Sequence, residues 1–249
     1  MINFEFLKIT MKDLFGKAIL DYQTNNYPED LITETTISNE DEMPVAYLFR
    51  SYNEMPLLEQ KALQLAKGSV LDVGCGAGIH SLYLQNEKNL EVYSIDISHN
   101  AVEACKLRGL KNVHVQNILE MNSETSLNKF DTILLLMNGT GIFGTLKNTT
   151  QYLQQLKKML KPGGQILIDS SDIIYMFDAD EDGAYEIPAT GYYGELQFTV
   201  SYKGEKEDSF PWLYLDYNTL QNAAFANELQ CELIIEGEHY DYLARIFIL

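Results

Sequence analysis

The chain has 249 residues, 46% of them hydrophobic, with only six prolines, which suits one large α/β domain and is short for two. Its formal net charge of −18 repels a phosphate backbone, and with only three arginines for bidentate phosphate contacts we expect no nucleic-acid partner. Cys75, Cys105 and Cys231 form no C-x-x-C pair, and no stretch approaches the roughly 20 apolar residues of a membrane span, so a cytoplasmic protein without disulfide, metal or membrane partner is expected.

Apolar residues at helical spacing predict an amphipathic helix over residues 13–26. The acidic, Thr-rich YPEDLITETTISNEDEMP that follows reads as a loop or mobile lid over the site, and MPLLEQKALQLAKG as a helix with Pro56 in its first turn and Gly68 as its stop. Residues 1–67 are therefore expected to be a helical N-terminal extension and lid, with residues 68–249 as the core.

From Ser69 onward short β-rich runs alternate with helical ones. SVLDVG precedes IHSLYLQNEKN, EVYSIDI precedes the Ser98-capped AVEACKLRG, VHVQNI precedes a polar connection, FDTILLLMN precedes LKNTTQYLQQLKKMLKPGG, and QILIDSS follows. Apolar runs without alternation are expected of parallel strands covered on both faces, and repeated β-α units of a doubly wound, Rossmann-like α/β sheet. After Asp172 the pattern changes. An exposed loop and the alternating runs GELQFTVSYKG and PWLYLDY predict an inserted antiparallel β segment over residues 173–217, covering the acceptor side. A last helix, NTLQNAAFANELQ, leads into CELIIEG and YLARIFIL.

The most informative stretch is VLDVGCGAG. Gly74, Gly76 and Gly78 lie between a strand and a helix, where a missing Cβ lets a ligand approach the main chain and the helix N-terminal N–H groups. Their G-x-G-x-G spacing differs from the G-x-G-x-x-G of a dinucleotide fingerprint. Asp96 closes the second strand of this unit, where a carboxylate meets both hydroxyls of a ribose, and Asn117 closes the third, where an amide meets an adenine edge. Each is also a candidate helix cap or loop polar residue.

These residues resemble the class I S-adenosylmethionine-dependent methyltransferases. VLDVGCGAG with Asp72 corresponds to that family's first motif, YSIDIS to its second, FDTILLLMN to its fourth-strand motif and LKPGGQILI to its fifth-strand entry. The terminal helix and hairpin correspond to its antiparallel C-terminal strand. The resemblance implies S-adenosyl-L-methionine as cofactor and S-adenosyl-L-homocysteine as product. Gly74, Gly76 and Gly78 would line the methionyl part with Cys75 and Met137 beside them. Asp96 would hold the ribose, Ile97 one adenine face, Asn117 and Ile118 the adenine edge, and Asp72 the loop or the cofactor's amino group. Arg50, from the N-terminal extension, is a candidate for the cofactor carboxylate, and Tyr22 and Tyr27 are candidates for closing the lid.

Methyl transfer from a sulfonium is an in-line displacement, driven mainly by alignment and exclusion of water. The expected acceptor is a small molecule bearing nitrogen, oxygen or carboxylate. His80, in the first turn after the glycine loop, is the candidate base, and Asn138, in MNGTG at the end of the fourth strand, points to the transfer site. Gly139 and Thr140 break the Asn-Pro-Pro-aromatic motif of DNA and protein-amide methyltransferases. His99, His114 and His239 read as structural. Asp178, Asp180, Asp182 and Gly183 imitate a calcium loop, but the twelfth position is Ala189 instead of a bidentate Glu. Tyr192, Tyr193, Trp212 and Tyr214 read as an aromatic layer packed on the sheet or over the acceptor pocket. A non-catalytic binding module and a nicotinamide-dependent oxidoreductase are the alternatives; the first keeps the crevice without the acceptor pocket, and the second is disfavoured by the glycine spacing.

Overall fold

The structure is a computed structural model that describes residues 12–122, 129–177 and 185–249. At its centre is a seven-stranded sheet of order β11-β12-β7-β6-β3-β4-β5. Its members are β3 (Ser69–Val73), β4 (Glu91–Asp96), β5 (Val113–Val115), β6 (Phe130–Leu135), β7 (Leu160–Ser171), β11 (Gln230–Glu236) and β12 (Asp241–Phe247). Strands β3 to β7 run parallel, whereas β12 pairs antiparallel with β7 and with β11. The chain runs outward from β3 through β4 and β5, then returns to the other side of β3 as β6. That reversal is the switch point, where an open α/β sheet leaves a crevice beyond the carboxyl ends of its strands.

The helices follow from sequence patterns that bury one stripe each. In α5 (Thr149–Met159) Leu153, Leu156 and Met159 recur at three-residue spacing and are all buried. Ser98 caps α4 (His99–Leu107), its Oγ accepting from the Ala101 amide at 2.9 Å, and Asp216 caps α6 (Tyr217–Ala226) by accepting from Thr219 N–H at 2.9 Å. Helices α1 (Leu14–Thr24), α2 (Leu57–Leu65) and α3 (Ile79–Asn86) complete the set. Buried Leu71, Ile95, Ile133, Leu135, Ile166 and Ile168 are among the strand residues of the main core.

The acidic stretch after α1 is not a loop. It is a hairpin, β1 (Leu31–Thr35) and β2 (Ser38–Met43), and β1 pairs antiparallel with β8 (Glu195–Tyr202) of the inserted segment. With β9 (Glu205–Lys206) and β10 (Phe210–Leu213) these strands form a second, five-stranded sheet of order β10-β8-β1-β2, with β9 on β8. Leu14, Ala18, Leu31, Val45, Val200 and Tyr202 are buried together beneath it. The extension and the insertion, 169 residues apart in the chain by their paired Ile32 and Ser201, are thus one structural layer. Asp21 and Lys203, paired at 2.7 Å, join its two parts, and Asp13 ties it to the rest, its Oδ2 accepting from the Asn100 side chain at 2.9 Å.

Candidate active site

The glycine loop leaves β3 with Gly74 and Cys75 both donating to the Ile95 carbonyl, and it enters α3 through a Gly78 N–H bond to the Cys75 carbonyl at 2.7 Å. Each glycine has positive φ. A Cβ at Gly74 would meet Ile142 Cδ1 at 2.9 Å and one at Gly78 would meet Cys105 Sγ at 2.8 Å, whereas at Gly76 it would meet nothing within 4 Å. Gly76 is therefore the residue whose missing side chain faces open space. Its N–H donates to Asp96 Oδ2 at 2.8 Å, while Asp96 Oδ1 accepts from Ser98 N–H at 2.9 Å. Burial pushes the Asp96 carboxyl above its ordinary range against the pull of these two amides.

Around this loop the other expected residues divide. Ile97 is 56% exposed at the end of β4, Ile118 is buried, and Asn117 uses its Oδ1 to cap a short turn by accepting from Leu119 N–H at 2.9 Å. Asp72 is buried under the loop, its Oδ2 accepting from Ser81 Oγ at 2.6 Å, and burial raises its pKa. Cys75 is buried, and the Cys105 thiol and burial push its own thiol up.

His80, the candidate base, lies inside the protein. It is buried, and its Nε2 lies 2.6 Å from Glu59 Oε2 in α2. Glu59 also holds the Arg50 guanidinium in a buried ion pair through Nη2, and Arg50 Nη1 donates to the Tyr47 carbonyl at 2.6 Å while its plane lies 3.9 Å over the Tyr47 ring. Burial works against ionising Glu59, but the His80 contact and the Arg50 charge outweigh it and hold its carboxyl below the ordinary range. Within this cluster Arg50 Nε is buried with no hydrogen-bond partner. Tyr22 packs on Phe49 at 4.5 Å between ring centres, and Tyr27 is exposed.

Beyond β6 the chain passes through Met137 and Asn138, both at positive φ, 66° and 58°. Two successive non-glycine residues in that region store strain, which the surroundings must hold in place. Asp169, at the end of β7, does so by accepting from Met137 N–H on Oδ2 and from Gly139 N–H on Oδ1, each at 2.9 Å. Asn138 is anchored in turn, accepting from Ser170 Oγ at 3.0 Å and donating to the Leu213 carbonyl at 3.3 Å. Gly141 admits the Trp212 indole, whose Cε2 would lie 2.1 Å from an added Cβ. Gly141 of MNGTG thus seats the inserted segment on the sheet, while Gly139 lets the chain pass close over Leu135. Tyr192 donates to Asp216 and Tyr193 to Asp172, each at 2.7 Å.

Between these elements lies a cavity of about 260 Å³, bounded by Tyr47, Glu59, Asn138, Asp169, Ser171 and Asp241 among others. Burial pushes the Asp169 carboxyl up to about 7, with the Glu59 charge adding to burial and the two amides opposing it. Glu59, Asp169 and Asp241 are not among the residues that the motifs single out for the site. The available signal was a charged residue inside an apolar pattern: Glu59 beside Leu58, Ala62 and Leu63 on the buried face of α2, and Asp169 closing QILI. The acidic positions of the calcium-like FDADEDG lie outside the described residues. No helix of the described residues is long and apolar enough to cross a membrane.

Comparison with known proteins follows this geometry. Residues 65–201 match a family described as "Methyltransferase domain". A tRNA U34 carboxymethyltransferase of Shewanella denitrificans is 28% identical over 131 residues, 50% of this chain and 37% of that protein. A mouse tRNA (carboxymethyluridine(34)-5-O)-methyltransferase, ALKBH8, is 28% identical over 118 residues, 47% of this chain and 17% of that protein. The chain thus spans little more than a third of the length of the first of these relatives. Among solved structures, a SAM-dependent methyltransferase from Bacteroides fragilis in complex with S-adenosyl-L-homocysteine is 46% identical, covers 96% of both chains and has a TM-score of 0.86. DesVI of Streptomyces venezuelae, 14% identical with a TM-score of 0.56 over 77% of this chain and 90% of its own, shares the fold.

These findings correct one expectation. Relatives named for tRNA overturn the exclusion of nucleic acid drawn from the charge of −18. Net charge sums a whole surface, whereas a nucleic acid needs positive potential only where it docks. The sheet order with its antiparallel β12, the glycine loop and the family match over residues 65–201 lead to one assignment. The chain belongs to the methyltransferase-domain family, as a class I S-adenosylmethionine-dependent methyltransferase.

Proposed function

We propose that S-adenosylmethionine lies across the carboxyl ends of β3 and β4 and that the acceptor enters the cavity between β6, β7 and α2. The observation that carries this is Gly76, where an added Cβ points into open space beside the Asp96 carboxylate. Arg50 supports it, since a buried guanidinium N–H without a partner calls for an acceptor such as the cofactor's carboxylate. In this reading Asp96 meets the ribose, Ile97, Asn117 and Ile118 border the adenine, and Gly74, Cys75, Gly78 and Met137 frame the methionyl part. Asp72 acts through Ser81 by fixing the start of α3. When bound, the cofactor supplies an electrophilic methyl group on a sulfonium.

The residues of the chain orient and exclude. The Asp169 amide bonds hold Met137 and Asn138 in their strained conformation at the edge of the cavity, and Tyr47 and Leu58 line it. His80 positions Glu59 rather than the acceptor. The proposed acceptor is a small molecule, supported by a cavity whose volume of about 260 Å³ suits one compact group. A tRNA base is the second reading, favoured by the relatives named for tRNA. Three buried cysteines without a disulfide fit a reducing, cytoplasmic setting.

Calorimetric titration with S-adenosylhomocysteine tests the cofactor site. Micromolar binding to the wild type, none with NADH, and a large loss in Gly76→Val is the expected result. A wild type freed of co-purified cofactor that fails to bind would remove the assignment of the crevice. Transfer assays with small solutes and with tRNA then decide between the two acceptors.

A further inference from the structure

The cavity beside Asp169 has an unusual polar balance. Three carboxylates, Glu59, Asp169 and Asp241, line it, and among the described residues no lysine, arginine or histidine does. Glu59 is compensated, since Arg50 and His80 both contact it. Asp169 and Asp241 form no salt bridge among the described residues. Asp169 is only 8% exposed, and a carboxylate buried to that degree needs either a counter-cation or a proton.

Hydrogen bonding points the same way independently of charge. Asn138 and Ser170 are committed within the protein, Asn138 to Ser170 and Leu213, and Ser170 also to Thr140 and the Leu215 amide. Asp169 accepts two backbone amides, which leaves lone pairs on a group with about four acceptor sites. Asp241 accepts one amide, from His239 at 3.1 Å. The capacity left on Asp169 and Asp241 is therefore that of acceptors, which asks for a ligand that donates. An anionic acceptor group would instead add a negative charge beside three carboxylates.

Resting on the reading of this cavity as the acceptor side, we propose that the methyl acceptor is a primary or secondary amine, its nitrogen held by Asp169 and its entry favoured by Asp241. The neutral nitrogen uses its lone pair to form the N–C bond as the C–S bond breaks and its electron pair returns to sulfur. The proton that the new ammonium sheds passes to the Asp169 carboxylate or to water. The amine can belong to a small solute or to a modified nucleoside of tRNA; the carboxylates recognise the nitrogen in either.

The test uses the full chain with methyl-tritiated S-adenosylmethionine, in one arm with the small-solute fraction of a cell extract and in another with total tRNA digested to nucleosides after reaction. Products are first separated by chromatography from unreacted S-adenosylmethionine, itself a cation, against a reaction without acceptor, and are then passed over a cation exchanger and treated with alkali, which releases methanol from methyl esters. Alkali-stable label retained on the exchanger is expected, and the arm that carries it identifies the source of the amine. In Asp241→Asn the KM of the labelled amine should rise roughly tenfold, as for loss of one favourable charge contact, with kcat and S-adenosylhomocysteine affinity kept. Label that is alkali-labile, or not retained, makes the acceptor a carboxyl or hydroxyl and overturns the amine while leaving the methyltransferase site intact. Amine transfer with an unchanged KM in Asp241→Asn and unchanged kcat in Asp169→Asn removes the carboxylates from the recognition and overturns the proposal. If Asp241→Asn, correctly folded by circular dichroism, loses S-adenosylhomocysteine affinity instead, the carboxylates serve the cofactor's own amino group and the proposal falls. No label in either arm, with S-adenosylhomocysteine still bound, overturns the acceptor reading of the cavity and the amine with it.

Discussion

At the level of single residues, the cluster Arg50, Glu59 and His80 is the most consequential arrangement that motif reading did not reach. Each was visible alone, Arg50 as a lone arginine before the glycine loop and His80 as a first-turn histidine, but their common partner is a glutamate on another helix. Spacing along one chain carries no signal for a contact of that kind. Removing the shared charge leaves a buried guanidinium uncompensated, so Glu59→Gln should lower unfolding stability by about 3 kcal/mol, measured in urea. A loss below about 0.5 kcal/mol, the range of ordinary surface changes, would mean that the pair is solvated. The glycines were legible as a set, because three alternate glycines between strand and helix are rare without a backbone reason. Their separate tasks were not legible. Gly76→Ala should cost about 1–2 kcal/mol for its positive φ, yet reduce S-adenosylhomocysteine affinity by more than that strain explains. Gly78→Ala should be the less stable protein, because its Cβ also meets the Cys105 thiol.

At the level of elements, parallel strands and their helices are readable because covered strands carry apolar runs without alternation, as in Ile133, Leu134 and Leu135 of β6. The hairpin β1–β2 resembles a loop in the sequence for a physical reason. Only Leu31 of β1 is fully buried and β2 is largely exposed, so neither carries the apolar alternation that marks a half-buried strand. Its partner β8 comes far later in the chain and was itself recognised by alternation. Because β1 lies between β2 and β8 while β2 is an edge, the two should differ in amide exchange. Amides of Ile32 and Glu34 are expected to be protected with or without cofactor, and those of Asn39 to Glu42 to exchange fast. Rapid exchange across both strands, slowed by S-adenosylhomocysteine, would restore the idea of a mobile lid.

At the level of the whole molecule, buried carboxylates and a charge of −18 act in the same direction. Burial raises the pKa of Asp72, Asp96 and Asp169, the last to about 7 against 3.8 for a free side chain. Between those two values the folded chain keeps a proton on Asp169 that the unfolded chain has lost, so the native state binds more protons and its stability falls as pH rises. Glu59, Asp21 and Asp131, whose carboxyls are held below their ordinary range, oppose this only at the acid end, where their native contacts are lost on protonation. Repulsion among the surplus acidic groups grows over the same climb in pH and is screened by salt. Denaturant unfolding from about pH 5 to about pH 8 should therefore show declining stability, partly restored by added sodium chloride. The two contributions separate in Asp169→Asn, which keeps the repulsion, loses the titrating group and weakens one amide contact at every pH. Its stability at acid pH is expected to lie below that of the wild type and to fall less steeply toward pH 8. If wild type and variant fall in parallel, Asp169 is ionised across the whole range, and the cavity is then already supplied with the positive potential that its lining residues lack.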